Sequence, residues 1–266
     1  MIARKRVAVV IPAYNERQLL PVTLSTLPGY VDVAVVVDDA SEDETAEVAR
    51  RAGQERAVVV CSHEGNRGVG AAIVTGYRWC VEHGYDVAVV VGADNQMHPD
   101  DMAALLLPIL QGEADYVVGD RLSWPGGWRR FPKERLMGVI VLAAMTRWAT
   151  GLERLQDAQC GYTAISREGL ERLDLTALYP RYGFPNDMLS KAALAGLRIS
   201  SRPVRPIYAG EQSALRIPEV VGPLLRLTAR SWLARQAAEE AGAGRGRADR
   251  RAAPAGQARR AARGEG

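Results

Sequence analysis

The chain has 266 residues, of which 47% are hydrophobic and 24% charged, as in an ordinary soluble globular protein. This length suits one α/β domain, or a domain with an appendage. No apolar run approaches the roughly 18 residues that a membrane-spanning helix needs, so we expect a cytosolic protein. The net charge of +3 does not indicate that the protein binds nucleic acid.

The positive charge is concentrated at the C-terminus. Residues 241–266 contain seven arginines against one aspartate and one glutamate, which gives +5 and leaves −2 for the first 240 residues. This segment is mainly Ala, Gly and Arg without apolar periodicity, so we expect a disordered basic tail. Cys61, Cys80 and Cys160 lack Cys-x-x-Cys spacing, which predicts three buried, reduced thiols instead of disulfides or a thiolate metal site.

Valine-rich runs alternate with helix-like segments from the N-terminus onward. The predicted strands are Val7–Ile11, Val33–Val37, Val58–Cys61, Val87–Val91 and Tyr116–Val118. The predicted helices are Glu16–Leu27, Glu42–Ala52, Gly68–His83 and Pro99–Leu110. The strands show little polar alternation, as in strands buried on both faces of a parallel sheet. We therefore predict a doubly wound, mostly parallel α/β sheet with helices on both faces, whose ligands bind at the carboxyl ends of the strands.

Each predicted strand is followed by a polar or glycine-rich segment. In chain order the segments are PAYNE from Pro12, DDASEDET from Asp38, HEGNRGVG from His63, GADNQMHP from Gly92 and GDR from Gly119. Turn and cap chemistry explains any one of them alone. Five in the right order, at the edge where such a sheet binds ligands, predict a binding site.

These five segments together resemble the nucleotide-binding half of family 2 glycosyltransferases. Three later segments resemble the acceptor half of the dolichyl- and polyprenyl-phosphate sugar synthases in that family. They are QDAQCGYTAI from Gln156, YGFPNDMLSKAALAGLRI from Tyr182 and RPVRPIYAGEQSALR from Arg202. The resemblance covers Val7 to Arg216. It implies a GT-A-like fold and an inverting transfer of a sugar from a nucleotide-diphospho-sugar, without a covalent enzyme intermediate.

The resemblance also implies a division of the chain. We expect a glycosyltransferase domain over residues 1–216, with a nucleotide-sugar half at 1–121 and an acceptor half at 122–216. An amphipathic helix over 217–240 and the basic tail over 241–266 would follow it.

Residues after the first two strands are the candidates for binding the nucleoside. The resemblance places Pro12, Tyr14, Glu16 and Asp39 around it. Tyr14 offers an aromatic face and a hydroxyl, and either Asp38 or Asp39 can accept a hydrogen bond from a base or ribose. We favour this role for Asp39. For Asp38, a cap on the following helix is an equally good explanation.

Asp94 is the candidate ligand of a divalent metal, Mg²⁺ or Mn²⁺. A hard cation neutralises the charge that develops on a departing diphosphate. Asp94 matches the last carboxylate of the family's Asp-x-Asp motif, but Gly92 stands where the first Asp belongs. Gln96 is the candidate second ligand, and Mg²⁺ tolerates one carboxylate because it keeps waters and binds substrate phosphates. We expect His98 to be a loop residue and not a ligand.

Arg121 follows the fifth strand, where the resemblance implies an arginine that binds the diphosphate. Bidentate contact with an anion favours Arg over Lys, and the alternative is a surface ion pair with Asp120. Arg135 matches a family arginine on the acceptor side, although a solvated helix charge explains it equally well. Gly68 and Gly70 serve either close helix packing or contact with a phosphate.

Asp187 is the candidate acid on the acceptor side. It would be a general base for a hydroxyl acceptor, or an orienting group for a polyprenyl phosphate that is already ionised at neutral pH. A helix cap is the competing explanation. The family's lysine near the acceptor phosphate is absent from residues 211–214, where Arg205 or Arg216 would have to substitute.

The segment after Arg216 bears on the acceptor. Its apolar residues recur at helical spacing with arginines between them, which is typical of a helix at the inner surface of a membrane. Packing on the domain or on a dimer partner explains the same pattern. We predict a polyprenyl phosphate acceptor. The alternatives are the same donor chemistry onto a saccharide or small-molecule hydroxyl, and a non-catalytic module that binds a nucleotide-sugar or a lipid.

Overall fold

The computed structural model describes Ile2 and residues 4–53, 57–208 and 217–252. Its strands are β1 (Val7–Ala13), β2 (Val33–Asp38), β3 (Val58–Ser62), β4 (Val87–Val90), β5 (Tyr116–Asp120), β6 (Thr163–Ser166) and β7 (Ile199–Pro203). Its α-helices are α1 (Leu20–Thr26), α2 (Thr45–Ala52), α3 (Val69–Glu82), α4 (Met102–Leu110), α5 (Lys133–Thr150), α6 (Arg167–Glu171), α7 (Phe184–Leu194) and α8 (Ile217–Ala252).

The seven strands of the described residues form one sheet in the order β3-β2-β1-β4-β6-β5-β7. Neighbouring strands are parallel except at β6, which is antiparallel to both β4 and β5. The mostly parallel sheet predicted from the sequence is therefore confirmed. Because β6 and β7 come from the second half of the chain and complete the same sheet, the two predicted halves share one core.

The apolar sequence of the strands explains the position of this sheet in the core. Every residue from Val7 to Ile11 has 0% exposure, because helices cover both faces of β1. Helix α3 packs closely on this strand at Gly76, where an added Cβ would overlap the Val10 side chain. Close contact of this kind holds the helix and the following strand end in fixed positions.

Helix α2 begins at Thr45 instead of Glu42, and two further predicted helices also begin later than their sequence pattern indicates. Helix α1 begins at Leu20 instead of Glu16, because Asn15 has a left-handed φ of 57° and the Glu16 N–H donates to Thr45 Oγ1 at 2.8 Å. Residues Pro99–Asp101 form a 3-10 turn, and α4 follows it from Met102. Both differences leave polar residues in loops at the carboxyl edge of the sheet.

The C-terminal helix packs on the domain. Leu224 and Leu227 of α8 are buried, with 5% exposure each, and α8 contacts α5 and α7. The helix continues to Ala252, beyond the predicted boundary at 240. Residues 253–266 of the predicted tail lie outside the described residues. Within the described part of the chain, no helix is long and apolar enough to span a membrane.

The three cysteines are free thiols. Cys80 and Cys160 are buried as predicted, and burial raises the pKa of each thiol to about 12. The prediction was wrong for Cys61, which is only half-buried because β3 lies at the edge of the sheet.

Candidate active site

A cleft of about 660 Å³ lies at the carboxyl ends of β1 and β2. We call it the strand-end cleft. Four residues predicted around the nucleoside line it, namely Pro12, Tyr14, Glu16 and Asp39. Tyr14 is 44% exposed, so its ring is accessible to a ligand. The structure thus brings together side chains from two loops, as expected for neighbouring parallel strands.

Asp39 is held in the wall of this cleft by three protein donors. The backbone N–H groups of Arg67 and Gly68 donate to its two carboxylate oxygens at 2.9 and 2.7 Å, and His63 Nδ1 lies 2.7 Å from Oδ1. His63 Nε2 in turn lies 2.9 Å from Thr75 Oγ1. Burial raises the pKa of Asp39, but these hydrogen bonds outweigh it and keep that pKa below the usual value. Asp39 is therefore a fixed, ionised acceptor.

The opposite wall consists of residues 179–183, which precede α7. Gly68 has a φ of 98°, and an added Cβ would lie 2.6 Å from the Pro180 carbonyl oxygen. At Gly70 an added Cβ would overlap the Tyr179 carbonyl oxygen. These glycines therefore allow the two walls to approach each other, which supports the packing role proposed for them. This contact places the exposed Arg181 side chain in the cleft.

Asp94 and Gln96 lie in the loop after β4, at the same edge of the sheet. The Gln96 N–H donates to Asp94 Oδ1 at 3.1 Å. A Cβ added at Gly92 would lie 2.8 Å from that oxygen, so the Asp94 carboxylate lies over the glycine. Among the described residues there is no group of three or more His, Cys, Asp and Glu side chains that could hold a metal.

Arg121 forms an ion pair with Asp157, a partner that the sequence did not reveal. Arg121 Nε and Nη2 donate to the two Asp157 oxygens at 2.7 and 3.0 Å, and the Asp157 side chain has 0% exposure. Burial lowers the pKa of Arg121, but the Asp157 carboxylate outweighs it and raises that pKa above the usual value. The predicted alternative partner, Asp120, instead accepts from the N–H groups of Leu122 and Ser123.

Asp187 lies in the first turn of α7 and binds the segment before that helix. Its Oδ2 accepts from the Tyr179 N–H at 2.8 Å and from Lys191 Nζ at 2.5 Å. Asp187 therefore fixes the start of residues 179–183. Asp187 is not the cap of α7. The N-cap residue of this helix is Gly183, which has no side chain that could form a capping hydrogen bond. Asp187 is not among the residues that line the cleft.

Comparison with known proteins agrees with this geometry. The pattern of glycosyl transferase family 2 matches residues 8–174. The chain belongs to glycosyltransferase family 2. It is 36% identical over 203 residues to an undecaprenyl-phosphate mannosyltransferase of Micrococcus luteus, covering 75% of this chain and 82% of the relative. It is 31% identical over 220 residues to a UDP-N-acetylglucosamine–dolichyl-phosphate N-acetylglucosaminyltransferase of Methanococcus voltae, covering 77% and 87%. The chain is thus a glycosyltransferase.

A solved structure confirms the fold of this family 2 glycosyltransferase. Glucosyl-3-phosphoglycerate synthase of Mycobacterium tuberculosis, crystallised with Mn²⁺, UDP and glucosyl-3-phosphoglycerate, superimposes with a TM-score of 0.62. The match covers 88% of this chain and 80% of that one at 23% identity. The GT-A-like architecture predicted from the sequence is confirmed.

The structure shows the side-chain contacts of two further candidate residues in this glycosyltransferase. Asp38 is 5% exposed and its Oδ1 accepts from the Ser41 N–H at 3.1 Å, so it closes a turn ahead of α2 and caps no helix. Arg205 was a possible substitute for the missing lysine. Its Nε lies 3.2 Å from Asp101 Oδ1 and its Nη1 lies 2.7 Å from His98 Nε2. Arg205 is thus bound to the loop before α4, where His98 is the N-cap residue of the 3-10 turn.

Some predicted acceptor-side residues lie outside the described atoms. These are the Arg135 side chain, residues 211–214 and Arg216. Sequence reasoning missed Asp157 and Arg181. The QDAQCG segment did attract attention as a whole, but the buried ion pair became visible only in three dimensions. Arg181, between two tyrosines, gave no periodic or spacing signal.

Proposed function

We propose that this glycosyltransferase transfers a sugar from a nucleoside-diphosphate sugar to a polyprenyl phosphate with inversion at the sugar carbon, using a divalent metal. The observation that carries the donor half is the strand-end cleft, where Tyr14 and the ionised Asp39 face one space. The acceptor half is supported by the relatives, whose names specify dolichyl and undecaprenyl phosphates.

Asp39 recognises the nucleoside as a hydrogen-bond acceptor. A carboxylate offers about four acceptor positions, and protein donors take three of them, which leaves about one for a base or ribose donor. Tyr14 stacks on the base or bonds to the ribose, and Pro12 and Glu16 line the same cleft. Asp38 is not among the residues that line the cleft and its Oδ1 accepts from the Ser41 N–H, so we assign this role to Asp39 alone.

The residues after β4 fit a metal that is bound together with the nucleotide. Asp94 would provide one carboxylate oxygen and Gln96 an amide oxygen, both hard ligands suited to Mg²⁺ or Mn²⁺. When bound, the ion would offset the negative charge of the diphosphate leaving group. We expect the diphosphate to complete the coordination, since the described residues contain no group of three or more His, Cys, Asp and Glu side chains that could hold the ion alone.

Arg121 and Arg181 add positive charge for the diphosphate. Asp157 accepts from Nε and from one N–H of Nη2 of Arg121, so this ion pair leaves the two N–H groups of Nη1 and the second one of Nη2 to donate to phosphate oxygens. Arg181 projects from the opposite wall of the cleft. Charges fixed before the reaction cost little reorganisation as the leaving group becomes more negative.

A polyprenyl phosphate acceptor needs no strong general base, because its second pKa is near 6 and the oxygen is already ionised at neutral pH. The contacts of Asp187 suit this chemistry. Its Oδ2 is engaged by Lys191 and Tyr179, so it holds the cleft wall instead of accepting a proton. The direct attack of a phosphate oxygen on the sugar carbon inverts its configuration.

Transfer assays with Asp187→Asn test the proposal. Wild-type protein with Mn²⁺, a panel of UDP- and GDP-sugars and a short-chain polyprenyl phosphate should form the lipid-linked sugar. Asp187→Asn should lower the rate modestly and leave its pH dependence unchanged. Glu171→Gln, at an exposed carboxylate paired with Arg167, is the control. A loss of about 10²–10⁴-fold with disappearance of the acidic limb would indicate a hydroxyl acceptor. Nucleotide-sugar binding without any turnover would indicate a binding module.

A further inference from the structure

The two carboxylate oxygens of Asp39 differ in the hydrogen bonds that they already accept. Each oxygen of a carboxylate offers about two acceptor positions. Oδ1 accepts from the Arg67 N–H at 2.9 Å and lies 2.7 Å from His63 Nδ1, so its positions are taken. Oδ2 accepts from the Gly68 N–H at 2.7 Å. Asp39, which lines the strand-end cleft, therefore keeps about one acceptor position, and that position is on Oδ2.

His63 is held with its Nδ1 toward Asp39. It directly follows β3, and its backbone N–H donates to the Asp38 carbonyl oxygen at 2.9 Å. On the other side of the ring, Nε2 lies 2.9 Å from Thr75 Oγ1 of α3. Thr75 is fixed in turn, because the next residue, Gly76, packs directly on β1. Two strands and a helix thus determine the position of the imidazole ring.

The hydrogen bond between His63 and Asp39 is formed before any nucleotide binds. Because Asp39 is an ionised acceptor, Nδ1 of His63 carries the hydrogen and donates it. The Thr75 hydroxyl suits Nε2 with or without a proton, since a hydroxyl can donate or accept. The side chains of His63 and Asp39 are only 6% and 5% exposed, so little water competes for Oδ1.

The Watson–Crick edges of the four bases differ in what they require from such a carboxylate. Uracil has a single donor there, the N3–H, which lies between two carbonyl oxygens. Guanine has two adjacent donors, the N1–H and the N2 amino group. Adenine and cytosine have an amino group beside a ring nitrogen whose lone pair would face the carboxylate. A single free acceptor position therefore matches the uracil edge.

Guanine would place a donor where the site already has donors. With its N1–H on Oδ2 of Asp39, its amino group would lie next to Oδ1, to which His63 and Arg67 already donate. The amino group would lose water without gaining an acceptor, which disfavours binding. Sites reject close analogues most strongly when a polar group is left unpaired in this way.

We propose that His63 is a positioning residue that determines donor specificity: by filling Oδ1 of Asp39, it makes the strand-end cleft selective for a uridine-diphosphate sugar over a guanosine-diphosphate sugar. His63 is not among the residues that line the cleft, so it acts through Asp39. This inference rests on the proposed function in one respect, since Asp39 has to face the base.

Isothermal titration calorimetry with UDP and with GDP, each in the presence of Mn²⁺, tests the inference. Wild type should bind UDP at least about tenfold more tightly than GDP, as expected for one unpaired donor. His63→Ala frees Oδ1 and allows the carboxylate to turn, so this ratio should fall about fivefold or more. His63→Asn keeps an N–H near the position of Nδ1 and should keep the wild-type ratio. His83→Ala, at an exposed histidine that ends α3, is the matched control.

The ratio of the two affinities separates specificity from stability, because a purely structural His63 would change UDP and GDP binding equally. Far-UV circular dichroism verifies that each variant is folded. An unchanged ratio in folded His63→Ala would overturn the inference. If that variant does not fold, the wild-type ratio still decides, since equal affinity for UDP and GDP would overturn the inference as well.

Transfer assays distinguish this inference from the proposed function. Sugar transfer to a polyprenyl phosphate from a GDP-sugar and not from UDP-sugars would overturn the inference and leave the proposed function intact. Selective UDP binding without transfer to a polyprenyl phosphate would support the inference and refute the acceptor half of the proposed function. Binding of neither nucleotide would refute the inference together with the donor half.

Discussion

Replacing Asp157 by Ala should destabilise the fold strongly, although Asp157 was not singled out by its sequence context. Its carboxylate accepts from four N–H groups: Nε, Nη2 and the backbone N of Arg121, at 2.7, 3.0 and 3.3 Å, and the backbone N of Gln159 at 3.1 Å. The Asp157 side chain has 0% exposure and that of Arg121 has 22%. Alanine would leave an arginine charge largely buried without its counter-ion.

Breaking a buried ion pair by removing one partner costs about 3–5 kcal/mol. We expect a loss near 3 kcal/mol for Asp157→Ala, because the partial exposure of Arg121 allows water to replace some of the lost contacts. Asp157→Asn keeps the shape and part of the hydrogen bonding, and it should cost about 1–2 kcal/mol. The double variant Arg121→Met/Asp157→Leu should cost less than the two single changes together, since no charge remains buried.

Urea unfolding followed by far-UV circular dichroism measures these differences. A loss below about 1 kcal/mol for Asp157→Ala, or additivity in the double variant, would refute the coupling of the pair.

Arg121→Ala should weaken nucleotide affinity by about 1.5–3 kcal/mol, measured by calorimetry at a temperature where the variant is folded. Unchanged affinity would show that Arg121 serves the Asp157 pair alone.

Hydrogen bonds and the positive charge of Arg198 lower the pKa of Asp115. The ionised carboxylate therefore stabilises the fold above about pH 4, and this contribution is lost as the pH falls toward the lowered pKa. Asp115→Asn should therefore be less stable than wild type in urea at pH 7, with a difference that shrinks on acidification; a pH-independent difference would contradict this. Calorimetry should detect Mn²⁺ binding only with UDP or GDP present, and Asp94→Asn should abolish it; tight binding without nucleotide would contradict the substrate-completed site. Gly92→Asp adds a second carboxylate at the cost of a rotated Asp94 side chain, and it should allow measurable Mn²⁺ binding without nucleotide. Tyr14→Ala should weaken nucleotide binding without changing the melting temperature, because the ring is exposed; a fall in melting temperature would assign Tyr14 to packing.

The sequence was sufficient to predict the first five strands and the loops after β1 and β2, but it did not reveal β6 or β7. Runs such as Val33–Val37 lack polar alternation, and strands of this kind are buried on both faces of a parallel sheet. Their bounds in the structure differ by at most two residues, as for β2 (Val33–Asp38). Because carboxyl ends of parallel strands meet at one edge, chain order predicted that the strand-end segments share a site, and the family resemblance selected Tyr14 and Asp39 within them.

Contacts between distant segments were decided only by the tertiary structure. Strand β6 inserts antiparallel between β4 and β5, and no local pattern specifies which strands become neighbours. Asp157 reaches Arg121 across 36 positions in the chain. The same holds for Arg181, whose place in the cleft depends on the close approach of its segment to Gly68.

The distribution of apolar residues shows the same division. Periodicity in the sequence indicated which side of a C-terminal helix is apolar, because that depends only on the helical repeat. Whether that side faces a membrane or the protein depends on what packs against it. Helices α5, α7 and α8 pack together, and this packing buries Leu224 and Leu227 while it leaves Met137 and Ile140 of α5 exposed. No single segment encodes such an arrangement of three helices.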